Sequence, residues 1–403
     1  MRAAQTGDRR VIAWLRKTSG EKRGVILTLA ALSAGGIVLG GIVFASGILS
    51  IKASSGHWPI TEWFMHTGLE RSVALHSMGI KTPPLDDPDL IIKGAAHFEI
   101  GCRPCHGSPG LAQPRIASRM TPHSPNLGPK LPNWEPNELF YIVKHGVKFT
   151  GMPAWPALHR DDEVWAVVAF LQKLPQLNEA EYRRLAQGDP RPTAPMEQLE
   201  GTEQTPSAVL QTCARCHGRE GVARGSGAFP HLAGQHAEYL TNAMNAYAAA
   251  QRHSGLMQPI ALGLDQDKIR ALADYYSRQT LPAPAAPPLA DAAAIVRGQA
   301  IAEHGIPAQK VASCIDCHGS SGRRHKAAYP RLAGQPADYL FLQLELFKKG
   351  HRGGSAYAHL MQAVAPRLTE AQMRDVALYF ASLPPPPPEA GARPGDPAQT
   401  PPP

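Results

Sequence analysis

The sequence predicts an all-α fold, with one N-terminal transmembrane helix followed by three small helical units in tandem. Three observations lead there. Residues 24–51 carry no charged side chain. One pentapeptide, Cys-x-x-Cys-His, occurs three times and uses all six cysteines. Behind each copy an apolar helix face returns in one register. The composition agrees: 43% hydrophobic and 18% charged residues exclude a wholly disordered chain. At roughly 100–200 residues per domain, 403 residues allow several domains.

Residues 1–23 hold Arg2, Arg9, Arg10, Arg16, Lys17, Lys22 and Arg23 against only Asp8 and Glu21. Residues 24–51 follow, long enough to cross a hydrocarbon layer of about 30 Å. Basic residues ahead of a span hold that end in the cytoplasm, so everything from residue 52 is expected outside, in the periplasm of a bacterial inner membrane. A cleaved signal peptide is the competing reading, but its apolar region is roughly 7–15 residues and no A-x-A site follows. Residues 52–89 form a juxtamembrane segment. Trp58, Trp63 and Phe64 there favour a membrane–water interface, and the pattern over 61–78 suggests an amphipathic helix.

The pentapeptides are Cys102-Arg103-Pro104-Cys105-His106, Cys213-Ala214-Arg215-Cys216-His217 and Cys314-Ile315-Asp316-Cys317-His318. C-x-x-C-H is the attachment motif of c-type haem: both thiols become thioethers, and the histidine becomes the proximal iron ligand. A zinc site would need four ligands in paired clusters rather than isolated triplets. A redox C-x-x-C needs no following histidine. Three covalently bound haem c groups are therefore expected.

The haems also decide what the charge means. Residues 1–23 supply +5 of the net +8, leaving 34 basic and 31 acidic residues in the remainder. Six haem propionates, less one positive charge per ferric iron, bring the exported part near neutrality. Nucleic-acid binding loses its support.

The second and third units share text. Phe229-Pro230-His231-Leu232-Ala233-Gly234-Gln235 lies 100 residues before Tyr329-Pro330-Arg331-Leu332-Ala333-Gly334-Gln335, and Tyr239-Leu240 matches Tyr339-Leu340. In the third unit Leu340, Leu344 and Phe347 recur at helical spacing, ended by Lys348, Lys349 and Gly350. Counted from Met152, Met257 and Met361, the terminal helices align without a gap. Val164, Val167, Val168 and Leu171 match Ile269, Leu272, Ala273 and Tyr276, then Met373, Val376, Ala377 and Phe380. Asp265 reads as an N-cap, and Thr369 with Gln372 as a capping box. Gly94 with Phe98, and Gly298 with Ile301, suggest a leading helix; in the second unit only Gly201 is comparable.

Each unit thus reads as leading helix, haem motif, loop, middle helix, methionine loop and terminal helix. The units are expected at 90–188, 196–281 and 289–383. Asp189-Pro190-Arg191-Pro192 and Pro195 separate the first two, and Pro282, Pro284, Pro287 and Pro288 the last two. The proline-rich tail, 384–403, is expected to be disordered.

Met152, Met257 and Met361 lie 50, 44 and 47 residues after the first cysteine of their motifs, in loops before the terminal helix. Methionines commonly fill core gaps, as Met244 and Met373 do by their alignment with Leu344 and Ile269. The loop methionines correspond only to one another, so they are the candidate sixth ligands. Met120 competes in the first unit. His145, His253, His351 and His359 are the alternatives for bis-histidine ligation.

Each unit resembles a class I cytochrome c domain. The second and third together resemble dihaem cytochrome c4 through the shared Leu-Ala-Gly-Gln-x-x-x-Tyr-Leu text. The first resembles the class through Trp134-Glu135-Pro136-Asn137-Glu138-Leu139-Phe140 and Thr150-Gly151-Met152-Pro153-Ala154-Trp155. The whole is similar to the trihaem cytochrome subunits of membrane-bound alcohol, gluconate and aldehyde dehydrogenases, covering residues from about 90 to 383. Those subunits begin with a cleavable signal, from which the anchor read here departs. The resemblance implies an electron relay and no catalytic residue of its own. Its redox partners would be a membrane dehydrogenase or quinol-oxidising complex on one side and an oxidase or soluble cytochrome on the other. A haem enzyme, such as a peroxidase or small-molecule reductase, would need one open distal site. A sensor would need an output domain, for which residues 1–23 are too short.

Overall fold

In the computed structural model every regular element among the described residues, 5–48, 50–188, 206–284, 291–319, 326–385 and 387, is a helix. The chain divides into two units, Met1–Trp58 and Pro59–Pro403.

The first unit is built on one long helix, Gln5–Ala45, which carries the apolar stretch and the basic residues from Arg9 onward, followed by a single turn at Ala53–Ser55. Gly24–Ala45, 22 residues, is its apolar part, about 33 Å at 1.5 Å per residue. The helix stops short of residue 51. Ser46 N–H still reaches Ile42 O at 2.9 Å, but Gly47 turns left-handed at φ 66° and ends the ladder. Leu29, Leu32, Ile37 and Phe44 are exposed along it.

The second unit opens with the helix Pro59–Ser77, close to the expected 61–78, which buries Val73 and Ser77. The leading helix Pro88–His97 is capped by Asp87, whose side chain accepts from Asp89 N–H. It passes through a wide turn, Phe98–Cys102, into the short helix Arg103–His106. The middle helix Pro136–His145, the terminal helix Asp161–Lys173 and an additional helix Glu179–Gln187 complete this segment. In the second segment the leading helix Pro206–His217 contains the haem motif itself. Ala237–Ala248 and Gln266–Ser277 follow as middle and terminal helices. The third has Ala292–His304, Ile315–His318, Ala337–Lys348 and Glu370–Ser382.

The sequence register holds. Of its twelve terminal-helix positions, all but the half-buried Leu272 are buried. Asp265 accepts from Lys268 N–H at 2.8 Å, and Thr369 and Gln372 exchange both capping-box bonds. Two expectations need correction. Met257 opens a short helix, Met257–Leu262, and Met361 lies inside another, Ala358–Val364, rather than in loops. Ser254 Oγ accepts from Met257 N–H at 3.1 Å and starts the first turn, where Pro259 loses no bond. The run from Ala358 to Val364 contains neither glycine nor proline. Gly201, Asp189-Pro190-Arg191-Pro192, Pro195, Pro287, Pro288 and nearly all of the tail lie outside the described residues.

Leading and terminal helices cross at one point in the first and third segments. A Cβ on Gly94 would fall 1.8 Å from Ala166 O, and one on Gly298 would fall 2.0 Å from Asp375 O. Ala166 and Asp375 stand at the same distance, 14 residues, after Met152 and Met361. Gly94→Ala should therefore cost about 2–3 kcal/mol by overpacking. Gly68→Ala, in a helix with nothing within 4 Å, should gain about 0.5–1 kcal/mol. Urea unfolding of the two variants checks the opposite signs.

Candidate haem-binding sites

All three motif histidines are turned the same way. His106 Nδ1 lies 2.9 Å from Pro125 O, His217 Nδ1 3.0 Å from Pro230 O, and His318 Nδ1 3.0 Å from Pro330 O. With a proton on Nδ1 given to the carbonyl, Nε2 keeps its lone pair for a metal. Burial lowers the pKa of His106 and His217, which favours the neutral, ligating form. It also raises the thiols, Cys102 and Cys213 to about 12 and Cys216 and Cys314 to about 11. A thioether carries no such burden.

Cys213, Cys216, His217 and Met257 line one continuous cavity of about 530 Å³ together with Cys314, Cys317, His318 and Met361. The first set is held on its loops. Ser124 Oγ and Gln113 Nε2 both donate to Cys105 O, while Val147 N–H donates to Met152 O at 3.1 Å. Met120 touches the same loop, its methyl lying where a Cβ on Gly151 would stand. Of the histidine alternatives, His253 and His351 border the cavity, whereas His145 and His359 are exposed. His351 and His253 instead meet His159, at ring distances of 5.0 and 6.5 Å.

Two parts of the cavity wall were not legible as site residues. One is a pseudo-twofold joint between the second and third segments. Gln335 accepts from His231 N–H and donates to its carbonyl, at 3.1 and 2.8 Å. Gln235 does the same with Arg331, at 2.8 and 3.0 Å. Beside them Arg252 and Arg352 are buried and bridge across the joint to Tyr339, Tyr239 and Gln343. No carboxylate pairs with either among the described residues. Burial alone would raise the Tyr239 phenol, yet the two guanidiniums hold it down at about 8. Uncompensated buried cations on the wall of an apolar cavity suit a ligand that brings its own carboxylates. Haem, with two propionates, is such a ligand, so the donor set, the cavity and its charge fit the group.

The other part comes from the first segment: Lys93, His97, Ile100, Arg160 and Glu163 border the same cavity. Glu163, buried to 2% exposure, accepts from Trp155 Nε1 at 3.1 Å, Ser254 Oγ at 2.7 Å and Gly255 N–H at 2.6 Å. Arg160 lies 2.9 Å from it, binds Asp162 through two nitrogens and donates to His253 O at 2.7 Å. Burial would raise Asp162, but Lys93 and Arg160 draw it far below the usual carboxylate range. One carboxylate thus ties the Met152 loop to the Met257 turn. Periodicity could not reveal this, because the partners are about 90 residues apart and the corresponding positions, Lys268 and Gln372, do not repeat the acid.

The family described as cytochrome c oxidase, cbb3-type, subunit III matches residues 89–171 and 203–275, and the cytochrome c family matches 295–384. Cytochrome c-552 of Acidithiobacillus ferridurans is 37% identical over 186 residues, 44% of this chain and 76% of that protein. The chain belongs to the c-type cytochromes. A thiosulfate dehydrogenase electron acceptor of Thiomonas intermedia (strain K12) is 33% identical to this cytochrome over 43% of its length and 79% of the relative's. A solved cytochrome c4 of Acidithiobacillus ferrooxidans shares 37% identity over 42% of this cytochrome and 98% of that chain, with a TM-score of 0.38.

Glu163→Ala leaves three donors without an acceptor and Arg160 with one carboxylate fewer. It should destabilise the cytochrome by about 3–5 kcal/mol and speed exchange of the Gly255 amide, measured by urea unfolding and hydrogen exchange. His97 is buried, its Nδ1 has no hydrogen-bond partner among the described residues, and burial depresses its pKa to about 4. Above pH 6.5 neither folded nor unfolded histidine is charged. Between 6.5 and about 4 only the unfolded state takes the proton, so stability falls with pH by about 3 kcal/mol. His97→Leu should remove that part of the slope in unfolding measurements at pH 7 and 4.5.

Proposed function

We propose that this cytochrome is a single-pass inner-membrane protein that relays electrons on the periplasmic side. It would carry three haem c groups, one in each of the segments 90–188, 196–281 and 289–383. Cys102 and Cys105, Cys213 and Cys216, and Cys314 and Cys317 are the thioether tethers. His106, His217 and His318 are the proximal ligands, and Met152, Met257 and Met361 the distal ones. The observation that carries the reading is the threefold Nδ1–proline carbonyl bond, which supports a proximal role for each imidazole.

Bound haem supplies a one-electron iron couple, and two filled axial positions suit it to outer-sphere transfer. The chain's own residues do the rest. The proline carbonyls orient the imidazoles, Arg252 and Arg352 neutralise buried carboxylates, and the apolar lining excludes water. The basic start and the apolar helix Gly24–Ala45 support membrane attachment with the haem segments outside. Relatives named as electron acceptors of thiosulfate dehydrogenase favour a dehydrogenase as donor. A terminal oxidase or soluble cytochrome is the acceptor that chemistry allows.

Intact mass should show three haem additions. Magnetic circular dichroism of the oxidised protein should show three Met–iron charge-transfer bands, and Met361→Ala should open one iron to carbon monoxide. A high-spin haem in the unaltered protein would sink the relay in favour of an open-site enzyme.

A further inference from the structure

The first segment carries a stretch rich in basic and poor in acidic residues. Residues 100–134 and 139–160 contain no aspartate or glutamate, where the chain's average density would place about five. Three of the basic residues there are engaged: Arg103 with Glu99, Lys144 with Asp161, and Arg160 with Asp162 and Glu163. Arg115, Arg119, Lys130 and Lys148 are exposed, and among the described residues their side chains make no ion pair or hydrogen bond.

Two large apolar side chains stand among them. Ile116 is 84% exposed and Phe149 is 89% exposed. Phe149 also holds φ 61°, a left-handed conformation costly for a bulky side chain and of the kind that clusters at functional sites. The two loops are one surface. The Met120 methyl packs where a Cβ on Gly151 would stand, joining the Arg115–Met120 loop to the Lys148–Met152 loop. Thr150 Oγ1 donates to Val147 O at 2.7 Å and fixes the second loop, three residues from whose Phe149 lies Met152.

We propose that the Ile116–Phe149 face, rimmed by Arg115, Arg119 and Lys148, docks an acidic redox protein that exchanges one electron with the first haem segment. The proposal rests on the relay reading and adds the partner's class and its point of contact. An apolar centre with an unpaired rim of one sign is the anatomy of a transient interface, in which charge raises the encounter rate and the apolar centre sets the docked pose. The exchange moves one electron and changes no bond. Loss of a rim charge acts on association, and added salt screens it over a Debye length of about 10 Å at 0.1 M.

The test uses the full haem-loaded chain in non-ionic detergent and two reductants: a reduced plant-type ferredoxin, as a small acidic protein, and hexaammineruthenium(II), as a small cation. Stopped-flow rates are compared at low and high salt for the native chain, for Arg119→Glu with Lys148→Glu, and for Phe149→Gly. At low salt the double variant should lose about tenfold in ferredoxin rate and most of its salt dependence, with the ruthenium rate unchanged or raised. Phe149→Gly should slow ferredoxin severalfold while keeping the salt slope. An unchanged ferredoxin rate and slope in the double variant overturns the proposal but leaves the relay standing, since the ruthenium reaction still reports competent haems. An equal fall with both reductants also overturns it, because the loops would then support the haem rather than a partner. So does an intact ferredoxin rate combined with lost self-association or lost binding to anionic vesicles, which would give the face to a second copy or to lipid.

Discussion

One hydrogen bond sets the frame for everything else: the imidazole Nδ1 of each haem motif against a proline carbonyl in the following loop. A histidine placed only by its own short helix could rotate about χ1 and χ2. The carbonyl removes that freedom and fixes which nitrogen it engages. The loop must then be rigid, and the chain makes it so. Ser124 and Gln113 close on Cys105 O in the first segment, while His231 and Arg331 are held by glutamines from the opposite segment in the other two. Orientation of the motif histidine in one segment therefore depends on docking to its neighbour.

That dependence makes the middle segment the hinge of the arrangement. Within four residues, Arg252 reaches Tyr339 and Gln343 of the third segment, and Ser254 and Gly255 are held by Glu163 of the first. Both joints are polar, but they differ in kind. The joint with the third is reciprocal, made of neutral amides and phenols around two guanidiniums. The joint with the first is one-sided, a buried carboxylate saturated by four donors. A saturated carboxylate specifies a single pose, because any shift strands several donors together. The Met152 loop and the Met257 turn are thereby fixed against each other. Electron exchange depends steeply on separation, so such a joint suits a relay better than an oily contact that can slide.

How much of this was readable follows from the range of the signal. The C-x-x-C-H spacing and the terminal-helix faces are local patterns, and Val164, Ile269 and Met373 are all buried as their periodicity requires. The caps at Asp265 and Thr369 are equally local. The repeated Leu-Ala-Gly-Gln text was visible as a repeat, yet its glutamines were not recognisable as the joint, because a repeat does not say which copy a side chain reaches. Glu163 was less visible still. It occupies an ordinary first-turn position on an acidic helix start, and only the approach of Ser254 and Gly255 gives it a task. The methionines were found by register, while their helical setting escaped because proline and glycine near Met257 read as a loop.

Net charge is an average, and here the average conceals two separations. The first is along the chain, where residues 1–23 hold most of the excess, ahead of the apolar helix Gly24–Ala45. The second is within the remaining 380 residues, whose 34 basic and 31 acidic residues suggest an even surface. Several acids are spent instead on structure: Glu99, Asp162, Glu163 and Asp375 neutralise Arg103, Lys93, Arg160 and Arg297 inside or between segments. Asp89 anchors the second segment's loop through Ser226. What remains around Ile116 and Phe149 is basic by default of any partner within the chain. On the docking proposal, the complementary charge for that surface comes from another molecule.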